Sequence, residues 1–138
     1  MSQIHLKVIT PVGVLFDADV DSFSVMTEKG PLVISPKYTT LITACTPYGV
    51  AKIVQQGRPS YFAMFGGFLE VKPDGATILA DDFEDGYSID MARAIASRDR
   101  AQDRIEQPKN EIDFIRAQGA LYRALARIDA KTKSEGGR

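Results

Sequence analysis

Apolar and polar side chains alternate along short runs as far as Ala80, which is the period that a half-buried β-strand requires. The clearest run extends from Ile4 to Thr10. Similar runs follow at a spacing of roughly 8–12 residues and are separated by turns rich in Gly and Pro. This pattern predicts a β-sandwich or a β-barrel. The predicted strands lie at residues 4–10, 14–16, 20–26, 32–34, 41–45, 50–54, 61–65, 68–71 and 76–80.

Two Gly-containing segments predict tight connections between these strands. Pro73-Asp74-Gly75 lies between two apolar runs and predicts a hairpin, because Asp and Gly tolerate a positive φ. Gly66-Gly67 interrupts what is otherwise one continuous strand pattern. We interpret this pair as a bulge or a tight turn, and the alternative is a point where the backbone of another chain approaches closely.

From Ser88 onward the pattern becomes typical of helices. Ser88 suits a helix N-cap, and Asp90 would then lie in the first turn, where the helix dipole favours an acid. The first predicted helix extends to about Gln107, and Pro108 interrupts the pattern. Asn110 predicts the cap of a second helix directly after it, so the two helices form an antiparallel hairpin.

An apolar stripe recurs every three or four residues in the second helix and is poorer in the first. Many of its residues are small, and each Ala contributes well below the ~1.5–3 kcal/mol of a buried Leu or Ile. The hairpin is therefore expected to be weakly held, as a conformational switch requires. Residues 131–138 lack apolar side chains and are expected to be frayed. The stripe comprises Phe114, Ala117, Leu121, Ala124 or Leu125, and Ile128 in the second helix, and Ile89, Ala92, Ala96 and Ile105 in the first.

The net charge of the chain changes sign at the same point. Residues 1–87 hold 6 basic and 10 acidic side chains, a net charge of −4, whereas residues 88–138 hold 11 and 8, a net charge of +3. The helical part is therefore expected to contact something acidic. Acidic side chains are interleaved with its arginines and the whole chain carries a charge of −1, so nucleic-acid binding is not expected.

The composition bounds the class of protein. With 44% apolar and 25% charged residues, the sequence is typical neither of a disordered chain nor of a membrane-spanning one. The N-terminus lacks the basic start and apolar core of a signal peptide, and Cys45 is the single cysteine. We therefore expect an intracellular protein without an intrachain disulfide.

No catalytic or metal-binding constellation is evident in the sequence. His5 is the single histidine, and Cys45 lies in an apolar run that is typical of a core residue. The acidic cluster at residues 81–85 has no partner base, so we interpret it as a solvated linker rather than an acid–base or cation site. We predict no catalytic residue and no metal site. The alternative is an unrelated enzyme whose site is spread over the sandwich loops.

Several segments, in order and over nearly the whole chain, resemble the epsilon subunit of the bacterial F-type (rotary) ATP synthase. They are residues 6–16, 65–71, 76–81, 89–94, 112–117 and 120–127. The clearest departure lies at residues 32–38, where Pro36 matches the proline of the family's Gly-Ile-Leu-Pro-Gly-His-like stretch but the Gly-His pair is missing. The contacts of the 35–40 loop in an assembly are therefore left open.

The resemblance implies an α+β protein with the β part first. An antiparallel β-sandwich (residues 1–87) would contact the gamma subunit of the central shaft and the c-ring, coupling proton flow to rotation and ATP synthesis. A two-helix hairpin (88–138) would inhibit ATP hydrolysis when extended toward the alpha and beta subunits. The chain would then be a non-catalytic subunit at the cytoplasmic face of the bacterial cell membrane, attached only through the complex. The candidate inhibitory contacts are Arg116, Arg123, Arg127, Lys131 and Lys133.

The resemblance also implies ATP as a regulatory ligand of the folded hairpin, with no required cofactor. Asp90 and Arg93 lie three residues apart on one helix face, so Asp90 would accept the adenine amino group and Arg93 would bind phosphate. The alternative is that these side chains form an acidic first turn and a solvated basic face. A second functional hypothesis is a stand-alone ATP-sensing module without a rotary partner. The ATP-site candidates are Ile89, Asp90, Arg93, Ala94, Arg123 and Arg127, followed by Glu84, Arg100 and Arg116.

Overall fold

The computed structural model describes residues 2–136 and contains ten strands in two five-stranded sheets, followed by two helices. One sheet has the order β2-β1-β9-β8-β5 and the other β10-β7-β6-β3-β4. Strands β1 and β9 pair in parallel, and the other pairings are antiparallel. The predicted sandwich and helical hairpin are thus confirmed. The strands are β1 (Ile4–Thr10), β2 (Gly13–Val20), β3 (Ser22–Thr27), β4 (Gly30–Ile34), β5 (Leu41–Ala44), β6 (Gly49–Gln55), β7 (Arg58–Phe65), β8 (Phe68–Lys72), β9 (Gly75–Leu79) and β10 (Asp82–Asp85).

The core lies between the two sheets and is built from alternate positions of the strands. In β1 every second residue is buried, and the residues between them are exposed or half-buried. This alternation is the expected result of a pleated strand with one apolar face. The largest fully buried side chains come from both sheets: Phe23, Leu6, Ile34, Ile53, Leu69, Ile78, Val8, Val20, Val25 and Val71.

The acidic cluster at residues 81–85 is not the solvated linker that we predicted. Four of its residues form β10, which pairs with β7 at the edge of the second sheet. Phe83 is 5% exposed and stacks on Phe62 with ring centroids 4.7 Å apart. A single aromatic residue between acidic neighbours is too weak a signal to predict a strand from sequence. The strand forms because pairing with β7 satisfies the backbone hydrogen bonds of residues 82–85.

The two predicted turns are confirmed. Lys72 pairs with Gly75 across the β8–β9 hairpin. Gly66 and Gly67 connect β7 to β8 with φ of 65° and 115°. A Cβ on Gly67 would overlap the carbonyl oxygen of Leu79, so the backbone that approaches closely here belongs to the same chain.

The helices are α1 (Met91–Glu106) and α2 (Glu111–Gly136), preceded by a short 3₁₀ helix (Gly86–Ser88). The predicted N-cap of α1 was wrong, because Asp90 rather than Ser88 occupies that position and accepts a hydrogen bond from Arg93 N. The cap predicted for α2 is confirmed, since Asn110 Oδ1 accepts a bond from Asp113 N. Asp85 caps the 3₁₀ helix in the same way through Tyr87 N.

The expected fraying of residues 131–138 was wrong for residues 131–136, while residues 137 and 138 lie outside the described chain. Helix α2 continues to Gly136 because its last turns dock on the sandwich. Ala130 and Ser134 are buried there, and Lys131 Nζ donates a hydrogen bond to the carbonyl oxygen of Tyr87.

The stripe predicted for α1 is wrong at Ala92 and Ala96 but right at Ile89, which is buried, and the stripe predicted for α2 is confirmed at Ala117 and Ala124. In α1, Ala94 and Ala101 are buried, whereas Ala92 and Ala96 are exposed. In α2 the buried residues are mainly alanines, and Leu125 is 40% exposed. Large apolar side chains dominate a stripe drawn from sequence. The observed contact instead needs short side chains, because the helix axes and the sheet approach closely. The predicted Ala117 and Ala124 are buried, Leu121, Ile105 and Ile128 are half-buried, and Phe114 is 37% exposed.

We predict that Gly67→Ala lowers the free energy of unfolding by roughly 3 kcal/mol or more, because the new Cβ overlaps backbone that cannot move aside. The matched control is Gly57→Ala, since Gly57 also has a positive φ of 76° but faces open space. That change should cost only about 1 kcal/mol. Urea unfolding measures both, and equal losses would show that the close approach to Leu79 contributes nothing.

Candidate functional site

The hairpin packs on the sheet that contains β10, β7 and β6 through small side chains. Ala126 and Ala130 of α2 join Ala63 and Phe65 of β7 and Ile89 in one buried cluster. Alanine side chains let the helix backbone approach the sheet but bury little apolar surface. The apolar contact is therefore close but weak for its length.

A bidentate ion pair adds a directional contact between the hairpin and the sandwich. Arg127 Nε and Nη2 donate to Glu84 Oε1 and Oε2, each at 2.9 Å. The same guanidinium lies 4.9 Å from the ring centroid of Phe65. Two parallel hydrogen bonds fix the orientation of both side chains, so this pair sets where α2 sits along the sheet.

The pKa values at this pair follow from burial and hydrogen bonding. Burial opposes ionisation of Glu84, but hydrogen bonds with Arg127 and Asp82 outweigh it and hold the pKa of Glu84 below its ordinary value. Partial burial and the hydrogen bond with Glu84 raise the pKa of Asp82. The hydrogen bond to Glu84 raises the pKa of Arg127.

A stacked tyrosine pair forms a further contact between the two parts of the chain. The rings of Tyr48, before β6, and Tyr122, on α2, are 4.5 Å apart between centroids with an interplanar angle of 9°. Thr46 Oγ1 donates to the carbonyl oxygen of Tyr48 and holds that turn in place. On α2, Tyr122 precedes Arg127 by about one and a half helical turns.

A cleft of about 660 Å³ lies between the end of β10, the start of α1 and helix α2. Because its walls come from the sandwich and from both helices, it exists only while the hairpin is folded on the sheet. Its charged side chains are three acids and two arginines. The lining residues are Glu84, Asp85, Ser88, Ile89, Asp90, Arg93, Ala94, Ser97 and Arg127.

The structure brings six of the nine predicted ATP-site residues together at this cleft: Ile89, Asp90, Arg93, Ala94, Arg127 and Glu84. The other three arginines do not line it. Arg100 donates to Ser97 Oγ at 3.1 Å, and Arg116 and Arg123 are exposed.

Sequence reasoning missed Asp85, Ser88 and Ser97 as lining residues. Ser97 was recoverable in principle, since it lies one helical turn after Arg93 on the same face.

Several polar groups of the cleft are already engaged within the chain. One oxygen of Asp90 accepts the N-cap bond from Arg93 N at 3.1 Å, so only its second oxygen faces other partners. Arg127 is shared with Glu84, which leaves Arg93 as the cation without an acidic side-chain partner at the cleft among residues 2–136. Within the same range, no group of His, Cys, Asp and Glu side chains is placed to hold a metal ion.

The five candidate inhibitory residues divide into two groups in this folded state. Arg127 and Lys131 contact the sandwich through Glu84 and Tyr87. Arg116 and Arg123 are exposed, and Lys133 Nζ lies 3.3 Å from Asp129 Oδ2 on the surface of α2.

His5 does not belong to the cleft. Its Nδ1 lies 2.7 Å from Asp19 Oδ1, and Nε2 contacts Asp17 across the β1–β2 pair. The hydrogen bonds with Asp19 and Asp17 raise the pKa of His5 above its ordinary value of 6.5. This contact therefore stabilises the fold fully below pH 6.5 and is lost as the pH rises through the higher pKa of the folded state.

Two family models together match almost the whole chain. Residues 3–86 match the ATP synthase delta/epsilon chain β-sandwich domain, and residues 88–132 match the delta/epsilon chain long α-helix domain. A β-sandwich followed by a long-helix domain is the architecture that these two models describe together. The chain belongs to the ATP synthase delta/epsilon chain family, whose members are non-catalytic subunits of that complex.

Individual relatives agree with this assignment. The chain is 39% identical over 129 residues to the ATP synthase epsilon chain of Bacillus velezensis, covering 94% of this chain and 97% of that one. It is 38% identical over 133 residues to the epsilon chain of Bacillus subtilis, covering 96% and 100%.

Solved structures show the same fold. A chain in the cryo-EM structure of the Euglena gracilis mitochondrial ATP synthase (OSCP/F1/c-ring) aligns with a TM-score of 0.80 at 17% identity, over 98% of this chain and 82% of that one. A chain of the Tetrahymena thermophila mitochondrial ATP synthase central stalk/c-ring structure aligns with a TM-score of 0.60 at 17% identity, over 94% and 97%. Within residues 2–136, no helix is long and apolar enough to cross a membrane.

We predict that Tyr122→Ala speeds amide hydrogen exchange along α2 about five-fold, because an aromatic pair contributes about 1 kcal/mol beyond its buried area to the docked state. Exchange mass spectrometry of the full chain measures this. The matched control is Gln118→Ala, an exposed position one turn earlier on the same helix. Equal exchange rates in the two variants would show that the tyrosine stack does not hold the hairpin.

Proposed function

We propose that this chain is a central-stalk subunit of a bacterial ATP synthase that couples proton flow to rotation and regulates ATP hydrolysis through its hairpin. In this proposal residues 1–87 contact the gamma subunit and the c-ring, and residues 88–138 are regulatory. The complex would hold the chain at the cytoplasmic face of the cell membrane. The epsilon-chain relatives and the fold shared with a chain of the central stalk/c-ring structure support this assignment.

An apolar surface on the sandwich supports the contact with other stalk subunits. On the sheet that does not carry the hairpin, Phe68 pairs with Leu79 in register, and they are 57% and 51% exposed. Val14, on β2 of the same sheet, is 52% exposed. Large adjoining apolar side chains on an outer face mark an interaction surface, and this one remains accessible when the hairpin is folded.

The weak docking of the hairpin supports a switch between a folded and an extended form. Leaving the sandwich would break the Arg127–Glu84 pair and the tyrosine stack, and it would release Arg127 and Lys131. These two residues would then join Arg116, Arg123 and Lys133 to face the alpha and beta subunits. Each exposed ion pair contributes only ~0–1 kcal/mol, so inhibition would need several of them together.

The observation that carries the regulatory proposal is that the cleft is assembled from β10, α1 and α2 together. A ligand that binds there binds the folded hairpin and not the extended one. At a hundred times its dissociation constant, such a ligand stabilises the folded form by ~2.7 kcal/mol. Bound ATP would therefore disfavour the extended, inhibitory form, and the inhibition of ATP hydrolysis would be relieved at high ATP concentration.

The cleft also indicates how ATP would be held. Arg93 is the free cation for a phosphate group, and the second oxygen of Asp90 is the acceptor for the adenine amino group. Arg127 would contact phosphate only by sharing its guanidinium with Glu84. Arg123, which is outside the cleft, would serve inhibition rather than ATP binding.

Calorimetric titration of the full chain with ATP tests the regulatory site. We expect saturable binding that weakens about ten-fold or more in Arg93→Ala, since a hydrogen bond to a charged group contributes about 1.5–3 kcal/mol. Arg123→Ala is the matched control, because it removes the same charge from a position outside the cleft, and it should bind nearly as the unchanged chain does. Absence of binding at millimolar ATP, or equal weakening in both variants, would refute the site.

Assembly with shaft and ring subunits tests the wider proposal. The chain should co-purify with gamma and c subunits, and complexes containing Tyr122→Ala should hydrolyse ATP more slowly than those with the unchanged chain, because a looser hairpin extends more often. Gln118→Ala again serves as the control. A chain that binds ATP but joins no rotary complex would instead support the stand-alone sensing module, and unchanged hydrolysis would exclude inhibition by the extended hairpin.

A further inference from the structure

A histidine and two aspartates form a charged cluster on the outer face of the sheet that does not carry the hairpin. His5 Nδ1 lies 2.7 Å from Asp19 Oδ1, and Nε2 contacts Asp17 Oδ1. The two aspartates are two residues apart on β2, so both carboxylates lie on the same face of that strand. The cluster has no part in the proposed function.

The two contacts of His5 specify the charge of its ring. A neutral imidazole carries one N–H and one lone pair, so it donates to a single acceptor. A carboxylate at each nitrogen is satisfied only when both nitrogens carry a proton, which makes His5 a cation. After loss of one proton, one carboxylate would face a lone pair, and the two aspartates would repel each other without a cation between them.

Strand β2 has few other contacts that hold it in place. It lies at the edge of its sheet and, within residues 2–136, pairs with β1 alone. The register of this pairing shifts between Val8 and Ile9, where Leu15 is left without a partner as in a β-bulge. Among residues 13–20 only Val20 is buried. Segments with an exposed edge and few buried contacts open most readily, so the cluster has a large share in holding this strand.

The two aspartates dominate the surroundings of the His5 ring. Within residues 2–136, no other charged group forms a hydrogen bond or an ion pair with it. Gly75, at the start of β9, packs against His5 and carries no charge. The hydrogen bonds with Asp19 and Asp17 raise the pKa of His5 above 6.5. Charged groups of both signs line the shallow grooves beside His5: Lys7 of β1, Lys37 of the β4–β5 loop, Glu70 and Lys72 of β8, and Asp74 of the β8–β9 turn.

We propose that His5, Asp17 and Asp19 form a pH-sensitive clasp that ties the edge strand β2 to β1 and opens when His5 loses its proton. The clasp is closed below pH 6.5 and weakens as the pH rises through the higher pKa that His5 has in the folded chain. Val14 of the outer apolar surface also lies on β2, so opening of the strand would disturb that surface. The clasp needs neither a partner nor a nucleotide and does not depend on the proposed function.

Quench-flow hydrogen exchange of the full chain, read by mass spectrometry and corrected for intrinsic rates, tests the proposal. We expect the protection of the β2 amides to fall about three-fold or more between about pH 6 and about pH 8.5, because closure is linked to one proton. The amides of β4, the edge strand of the other sheet, are the internal control and should keep their protection. His5→Gln should remove the pH dependence of β2.

Nitrogen NMR of the ring measures the clasp directly, because His5 is the single histidine of the chain. At pH 6.5 more than half of the rings should carry both protons, and Asp19→Asn should lower that fraction. The matched control is Asp74→Asn, which removes a carboxylate that lines the same groove without contacting His5 and should leave the fraction unchanged.

Three results would overturn the proposal. The first is a mainly neutral ring at pH 6.5, or a ring that responds equally to Asp19→Asn and Asp74→Asn. The second is protection of β2 that does not change with pH in the unchanged chain. The third is a pH dependence of β2 that persists in His5→Gln, which would assign it to another group.

Discussion

The close approach of helix α2 to strand β7 and the 3₁₀ helix is the constraint on which the rest of the structure depends. Ala126 and Ala130 pack against Ala63, and Gly86 admits the last turn of the helix because any Cβ there would collide with it. Longer side chains at these positions would hold the helix away from the sheet. The cleft would then lose one wall, and Glu84 would lose its partner Arg127.

This closeness has an energetic consequence. Close packing of short side chains restricts where the hairpin docks on the sheet, but it removes little apolar surface from water. The directional contacts therefore have a large share in holding it: a bidentate ion pair and a stacked tyrosine pair. Such contacts specify orientation more than they add free energy. A helix held in this way has a defined docked position that it is able to leave, which is the property that the proposed regulation needs.

The attraction between the charges of the sandwich and those of the hairpin is concentrated in one ion pair. The sandwich is acidic and the hairpin basic, yet across residues 2–136 Glu84–Arg127 is the single ion pair that joins them. Among the other arginines of the described hairpin, Arg98 and Arg104 pair with acids of the hairpin itself, whereas Arg116 and Arg123 are exposed and have no acidic partner. The Glu84–Arg127 pair also occupies one of the two arginines of the cleft, so docking of the hairpin and anion binding there compete for one guanidinium.

The sequence by itself determined the order of strands and helices, the two glycine turns and the Asn110 cap, because alternation, turn chemistry and capping are local properties. It also placed Asp90 and Arg93 on one helix face. Only the tertiary structure decided that residues 82–85 form a strand, which alanines face the sheet, and that Arg127 rather than Arg123 reaches the cleft. Glu84 and Arg127 are separated by 43 positions. Their meeting depends on how closely a helix approaches a sheet, which no local pattern encodes.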